Sequence, residues 1–283
     1  MNRYALAAAL AMVAFASNSI LCRMALRGTA IDPASFTSVR LVTGAVTMWA
    51  LVRVTRGGLA RAGDWGSALA LLVYAVTFSF SYVGLTAGTG ALLLFGAVQL
   101  IMIAAGLIAG ERISARLALG WALAAAGVAI LILPGVSAPP ALDAALMICA
   151  GIAWGVYSLR GRRSSNALRD TAGNFVRAAP GALLVSAFWW AHRSSDTEGI
   201  LLAVLSGAIA SGLGYAIWYT ALPRLSAIAA GNAQLSVPVI AAFGGVLLFG
   251  EAITLRLSIA SVLVLGGIAL ALRKGSRSVP AAD

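Results

Sequence analysis

Between Asp64 and Glu111 the chain carries no charged residue, and the same holds between Arg116 and Asp143, Glu198 and Arg224, and Arg224 and Glu251. The hydrocarbon core of a bilayer is roughly 30 Å thick and a helix rises about 1.5 Å per residue, so about 20 apolar residues cross it. The first of these runs is long enough for two crossings joined by a tight turn at Thr86 to Thr89. Only 10% of residues are charged and 61% are hydrophobic, too little charge to clothe a water-facing surface. Lipid is the solvent of most of these side chains.

The runs are continuous and rich in Leu, Ala and Gly, without the short alternating segments of a barrel, so they read as helices. Ten spans are expected, at roughly 4–22, 33–54, 65–86, 89–109, 114–134, 141–159, 172–191, 198–222, 225–249 and 255–272. The first is kept as a span because only Arg3 precedes it, no clear cleavage site follows, and Cys22-Arg23 lies at its exit. With ten spans both termini share a side. If that side is the cytoplasm, fourteen basic residues fall in inner segments and four (Arg23, Arg27, Arg193, Arg256) in outer ones. This bias predicts cytoplasmic termini. The net charge of +11 is then topological: basic loops over anionic headgroups account for it without a nucleic acid partner. Cys22 and Cys149 fall on separate spans and read as packing residues.

The two halves of the chain end alike. Gly110-Glu111-Arg112-Ile113-Ser114 returns 140 residues later as Gly250-Glu251-Ala252-Ile253-Thr254, and Arg116, Leu117, Leu123 and Gly127 pair with Arg256, Leu257, Leu263 and Gly267. Upstream, Phe15 matches Trp154, Arg40 matches Arg177, and Tyr82-Val83-Gly84-Leu85 matches Tyr219-Thr220-Ala221-Leu222. Each half thus holds five spans, and because five is odd the second half enters the membrane from the opposite side, as an inverted repeat. The expected fold is an all-α integral membrane protein of ten transmembrane helices in two inverted five-helix repeats around a central cavity. The expected units are residues 1–134 and 141–272, with a linker at 135–140 and a basic cytoplasmic tail at 273–283.

These repeats and their Gly-Glu-x-Ile-Ser/Thr turns resemble the drug/metabolite transporter superfamily, EamA type, along essentially the whole chain. In size and aromatic-rich spans it looks most like the bacterial aromatic amino acid exporters. The resemblance implies a ten-helix exporter in the bacterial inner membrane with cytoplasmic termini and a central cavity.

An intramembrane enzyme needs a nucleophile with its base, or metal ligands, inside the spans. The single His, His192, falls in an outer loop, none of the nine carboxylates lies deep in a span, and no phosphate-cradling or zinc-binding motif occurs. Neither an enzyme, a metal site nor a cofactor is expected. Proton-driven carriers commonly use an intramembrane carboxylate or His. The nearest candidates, Glu111 and Glu251, stand just ahead of Ser114 and Thr254 and read as helix-cap chemistry. Facilitated export is therefore expected.

Binding candidates are the side chains that face one another across the repeat. Tyr74, Phe78 and Tyr82 recur every four residues and share a helical face; Ser211, Tyr215, Trp218 and Tyr219 cluster similarly in span eight. Two aromatic stripes suit planar or apolar solutes. Asn18, Gln99, Trp154, Tyr157, Asn232 and Gln234 add polar and aromatic groups on spans one, four, six and nine. Their alternative role is interhelical hydrogen bonding. Trp49, Trp65, Trp189 and Trp190 fit an interfacial belt. Arg40 and Arg177 lie several residues into their spans, where a cation snorkels, pairs, or faces a wet cavity. With Pro238, a kink candidate in span nine, they are the gating candidates. The expected function is export of aromatic and other neutral amino acids by a carrier working as a monomer in the bilayer. A broad exporter of drugs or other small metabolites is the alternative, and an intramembrane enzyme a remote one.

Overall fold

The computed structural model describes residues 3–55, 58, 62–108, 115–135, 138–162, 164–221, 234 and 236–272. Several helices begin where a side chain caps them. α1 (Arg3–Gly28) runs into a short link, and Asp32 then caps α2 (Pro33–Val54) by accepting from Ala34 N at 2.9 Å and Ser35 N at 3.0 Å, with Pro33 at the first helical position. Asp64 caps α3 (Trp65–Ser81) through Ser67 N at 2.9 Å. α4 (Ala87–Ile108) and α5 (Ala115–Ile132) complete the first half. α6 (Ala141–Gly161) follows, then α7 (Ala167–Phe188), capped by Asn166, and α8 (Thr197–Ala221), capped by Asp196. α9 (Ser236–Phe249) and α10 (Leu255–Leu272) close the chain, with Thr254 accepting from Leu257 N at 3.1 Å. Scarce acidic side chains are thus placed where helix N-termini leave backbone N–H groups unpaired.

Among the described residues, four helices meet the length and hydropathy of a membrane span unaided: Leu6–Gly28, Pro33–Val54, Ala141–Gly161 and Thr197–Ala221. α7, with Arg169, Asp170 and Arg177, is less apolar. The exterior is accordingly greasy: Phe188 is 90% exposed, Val262 72% and Leu247 66%. Lipid is the medium that accommodates such a surface.

The expected spans match the helices closely, with three differences. The turn expected at Thr86 to Thr89 lies earlier, because α3 ends at Ser81 and α4 has begun by Ala87. Pro238, expected to kink the interior of span nine, lies on α9 (Ser236–Phe249). Residues 225–233 of that span lie outside the described residues, so Pro238 is placed only against the described helix. The second difference is an interior proline at Pro180 in α7. The third difference is a π-helical segment, Ser206–Leu213, in the middle of α8.

Helices α5 and α10 pack against one another, as do α2 and α7, and α4 and α9. α3 lies against α6 and α7, while α8 lies against α1 and α2; α4 touches α6 and α9 touches α1. Contacts at the helix ends sort into two groups. At one end Asp32 N donates to Ser194 O at 2.9 Å, Arg23 reaches Glu251 and Tyr82 O, and Arg256 donates to Leu133 O. At the other, Gly63 N and Asp64 N donate to Asp170 and Asn174, and Arg160 reaches Asp64. Successive helices therefore run end to end in alternating directions.

Candidate functional site

The middle of the bundle holds a small enclosed cavity where α1, α3, α4, α6 and α8 meet. α1 contributes Phe15, Asn18 and Ser19, and α3 contributes Tyr74 and Phe78. Leu94 and Phe95 come from α4, Trp154 from α6, and Ala210 and Tyr215 from α8. Its free volume is about 10 Å³, room for about one water molecule and not for an organic solute. The aromatic rings pack on one another: Phe15 stands edge-on to Tyr215 at 5.6 Å between centroids and to Trp154 at 6.1 Å, and Trp154 lies 5.0 Å from both Tyr74 and Tyr215.

A chain of hydrogen bonds runs along one side. Ser206 Oγ donates to Asn18 Oδ1 at 2.6 Å, Asn18 Nδ2 donates to Tyr74 OH at 3.3 Å, and Arg40 Nη2 donates to the same hydroxyl at 3.1 Å. Arg40 Nε donates to Ser211 Oγ at 3.3 Å. The π-helical segment makes this possible. Its wider turn sets Ser206 and Ser211, five residues apart, on one inward face. Gly207 lets α2 come close enough for the network to close, since a Cβ there would stand 2.3 Å from Arg40 O. Neither the π segment nor Ser206 was legible in the sequence, because a π register has no composition signal of its own; Ser211 was noticed only as part of the aromatic stripe.

Arg40 is 1% exposed and makes no ion pair among the described residues. Its Nη1 has no hydrogen-bond partner there, nor does the Tyr215 hydroxyl. The guanidinium carbon lies 5.2 Å from the Tyr74 ring centroid and 4.8 Å from that of Phe78. Snorkelling, one of the fates expected of such a cation, does not describe it. Arg177 differs: it is half-buried, donates to Ala62 O and, at 3.0 Å, to Gly173 O, and its guanidinium lies over the Trp65 ring. It ties α7 to the loop before α3.

Of the other candidates, Tyr74, Phe78, Asn18, Trp154 and Tyr215 come together at the cavity. Tyr82 is buried at the end of α3, stacked edge-on with Phe78 at 4.8 Å, its hydroxyl donating to Ala87 O at 3.4 Å. Tyr157 stacks on Trp154 at 5.5 Å, and Trp218 stands 6.1 Å from Phe15. Gln99 is buried on α4 one turn beyond Phe95, with Nε2 lacking a partner, and Gln234 is buried. Asn232 and Glu111 lie outside the described residues. Phe15 and Phe95 line the cavity and were not candidates; Phe15 had a signal, since it was the repeat mate of Trp154.

Glu251 is occupied differently from its expected role. Thr254 caps α10, whereas Glu251 Oε2 accepts from Ala87 N at 2.9 Å, at the start of α4, and Oε1 accepts from Arg23 Nε at 3.0 Å. Both partners of this pair are about one-tenth exposed. At the opposite end Arg160 Nη2 pairs with Asp64 at 2.6 Å and Nε donates to Ser67 Oγ at 3.0 Å, both charged groups being half-exposed. Partial burial pushes the Asp64 carboxyl up, but hydrogen bonds from Ser67 and Arg160 and the Arg160 charge outweigh it and hold it at about 2. Among the described residues no group of three or more His, Cys, Asp or Glu side chains comes together. The chemistry available at the cavity is stacking, hydrogen bonding and one fixed positive charge.

Fold and site define a multi-pass helical membrane protein with an aromatic, polar-edged centre. Residues 142–273 match the EamA-like transporter family. Over 273 residues the chain is 53% identical to the uncharacterized protein PA1977 of Pseudomonas aeruginosa, spanning 96% of this chain and 95% of that protein. One solved crystal structure shares the fold with a TM-score of 0.67 at 18% identity, covering 93% of this chain and 95% of its own. The chain belongs to the EamA-like transporter family, whose members carry small solutes across membranes.

Proposed function

We propose that the protein exports amino acids, aromatic and other neutral ones such as phenylalanine, methionine and threonine, across the bacterial inner membrane. The observation that carries this is the central cavity, ringed by Phe15, Tyr74, Phe78, Trp154 and Tyr215 and edged by the Asn18, Tyr74 and Arg40 hydrogen bonds. Aromatic faces favour planar or apolar side chains, and the polar edge offers donors to a charged backbone group. Tyr82, Gln99, Tyr157, Trp218 and Gln234 form the surrounding shell, and Asn232 is assigned to it from the sequence.

Alternating access between two inverted five-helix units, 1–134 and 141–272, is the mechanism. Two observations support it. The helix contacts are largely preserved when each helix is exchanged for the one five places later: α3 on α6 becomes α8 on α1, and α4 on α6 becomes α9 on α1. At the two ends of the bundle, Arg23 with Glu251 and Arg160 with Asp64 are latches that open in turn. The bias of basic residues sets the Arg160 end and both termini in the cytoplasm. One chain contains a whole cavity, so the monomer is the working unit, and Arg177 and Pro238 act in gating. Transport is facilitative, since no carboxylate lines the cavity.

The aromatic walls also suit planar drugs, which makes a broad exporter the second reading. Flux from liposomes preloaded with labelled phenylalanine, methionine or threonine, with and without a pH gradient, decides between them. Efflux of these amino acids, indifferent to the gradient and reduced at least tenfold by Trp154→Ala, is expected. Efflux of planar cations with none of the amino acids overturns the amino acid reading.

A further inference from the structure

Arg40 is a buried cation with no buried anion to answer it. It lies about 10 Å along α2, counting about 1.5 Å for each of the seven steps from Pro33. Its partners are all neutral: the Tyr74 and Ser211 hydroxyls and the faces of Tyr74 and Phe78. Removing a guanidinium from water is costly unless a counter-charge and a full set of acceptors replace the solvent. Here neither is present among the described residues, and Nη1 is left without an acceptor. A structural arginine would be expected to have recruited one.

The groups beside it are donors as well. Tyr215 OH is buried without a partner, and Asn18 Nδ2 already points at the Tyr74 hydroxyl. None of the cavity-lining residues is acidic. A guest entering here meets aromatic walls and unfilled donors, with one fixed positive charge behind Tyr74. That combination recognises an anion on an apolar body; it offers an ammonium only ring faces.

The repeat makes the asymmetry intelligible. The offset of 137 that pairs Arg40 with Arg177 and Tyr82 with Tyr219 also pairs Tyr74 with Ser211. Arg40 bridges Tyr74 and Ser211, which sets it close to the centre shared by both halves. Two guanidinium groups at such a place would repel, and Arg177 is held instead on the carbonyls of Ala62 in the loop and Gly173 in α7.

We infer that Arg40 is the carboxylate anchor of the central site, and that the site selects aromatic monocarboxylates by their anionic end, with an α-ammonium group unnecessary. This rests on the reading of the cavity as the transport site. Arg40 does not itself line the small cavity, but its partner Tyr74 does, so a substrate carboxylate reaches the guanidinium as Tyr74 turns aside. The carboxylate then takes Nη1 and Nη2 together in the two-pronged geometry that arginine favours.

The test is calorimetric titration of the purified full-length protein with phenylalanine, 3-phenylpropanoate, which has the carboxylate without the amine, and phenethylamine, which has the amine without the carboxylate. Both carboxylates are expected to bind, with phenethylamine at least tenfold weaker. Arg40→Met should weaken both carboxylates at least tenfold, Arg40→Lys less, and Arg177→Met not at all. Phenethylamine binding as tightly as phenylalanine, or a folded Arg40→Met protein with unchanged carboxylate affinity, overturns the anchor and leaves the amino acid reading standing. Failure of all three ligands to bind the unmodified protein overturns both. The ligand series on the unmodified protein decides the matter even if Arg40→Met does not fold.

Discussion

Gly127 and Gly267 are in reciprocal contact with each other's helix. A Cβ on Gly127 would stand 2.8 Å from Val264 and 2.9 Å from Ala260 O, and one on Gly267 would stand 2.8 Å from Ala124 N and 2.5 Å from Gly120 O. Gly120 and Ala260, Ala124 and Val264, and Gly127 and Gly267 are each 140 residues apart. The closest helix pair of the bundle, α5 with α10, is thus built from matching positions of the two halves, and its glycines are required for close approach.

Gly267→Ala should therefore lower stability, by about 1–3 kcal/mol, because the new methyl meets backbone that cannot move aside. Gly266, one residue away, faces open space. Gly266→Ala should be neutral or slightly stabilising, since alanine is the better helix former by up to about 1 kcal/mol. Thermal unfolding of both variants in detergent checks the pair.

Opening the Arg23–Glu251 latch should loosen the end of the bundle where it sits. Glu251→Gln keeps the shape but weakens the bond to Arg23 and the cap on α4, leaving a mostly buried cation without its counter-charge. Cys22, fully buried next to Arg23, is a native reporter. Its rate of maleimide alkylation, followed separately from that of exposed Cys149 by mass spectrometry, should rise severalfold in Glu251→Gln and stay unchanged in Asp64→Asn.

The Asp64–Arg160 latch has a defined pH range. The folded carboxyl sits at about 2, below its ordinary value of 3.8, so its contribution is complete above that ordinary value and is lost as pH falls through about 2. Asp64→Asn keeps an N-cap residue and removes the charge. Its stability should lie below that of the parent at pH 7 by less than about 1 kcal/mol because the pair is half-exposed, and the melting temperatures of the two should converge between about pH 4 and pH 2. A transport rate that titrates near neutrality would have to come from another group.

Tyr74→Phe should damage folding and transport together. The hydroxyl accepts from both Asn18 and Arg40, and its loss strands two buried donors at roughly 1–3 kcal/mol each. Phe78→Leu removes a ring from the same wall without stranding a donor, and should impair flux more than stability. Melting temperature and liposome flux, measured on both proteins, separate the two effects.

Much of this protein was legible because one physical constraint dominates. Apolar runs long enough to cross a bilayer located the helices; α2 falls at the boundaries expected and α10 begins where expected. Tyr74 and Phe78 were found because a four-residue spacing puts side chains on one helix face. Arg40 and Arg177 looked equivalent, being repeat mates at similar depth, yet Arg177 reaches the carbonyls of Ala62 and Gly173 and Arg40 is sealed among rings. The difference lies in what the neighbouring helices present, which no local pattern encodes.

The sequence by itself determined that the chain lives in lipid, how many helices it makes, and that its halves correspond, because hydrophobic length and an internal repeat are local or periodic properties. Only the tertiary structure decided that Phe15 meets Trp154, that a π segment in α8 brings Ser211 to Arg40, and that Glu251 serves α4 and Arg23 rather than its own helix. Those partners are separated by more than a hundred residues, and their meeting depends on the packing of whole helices against one another.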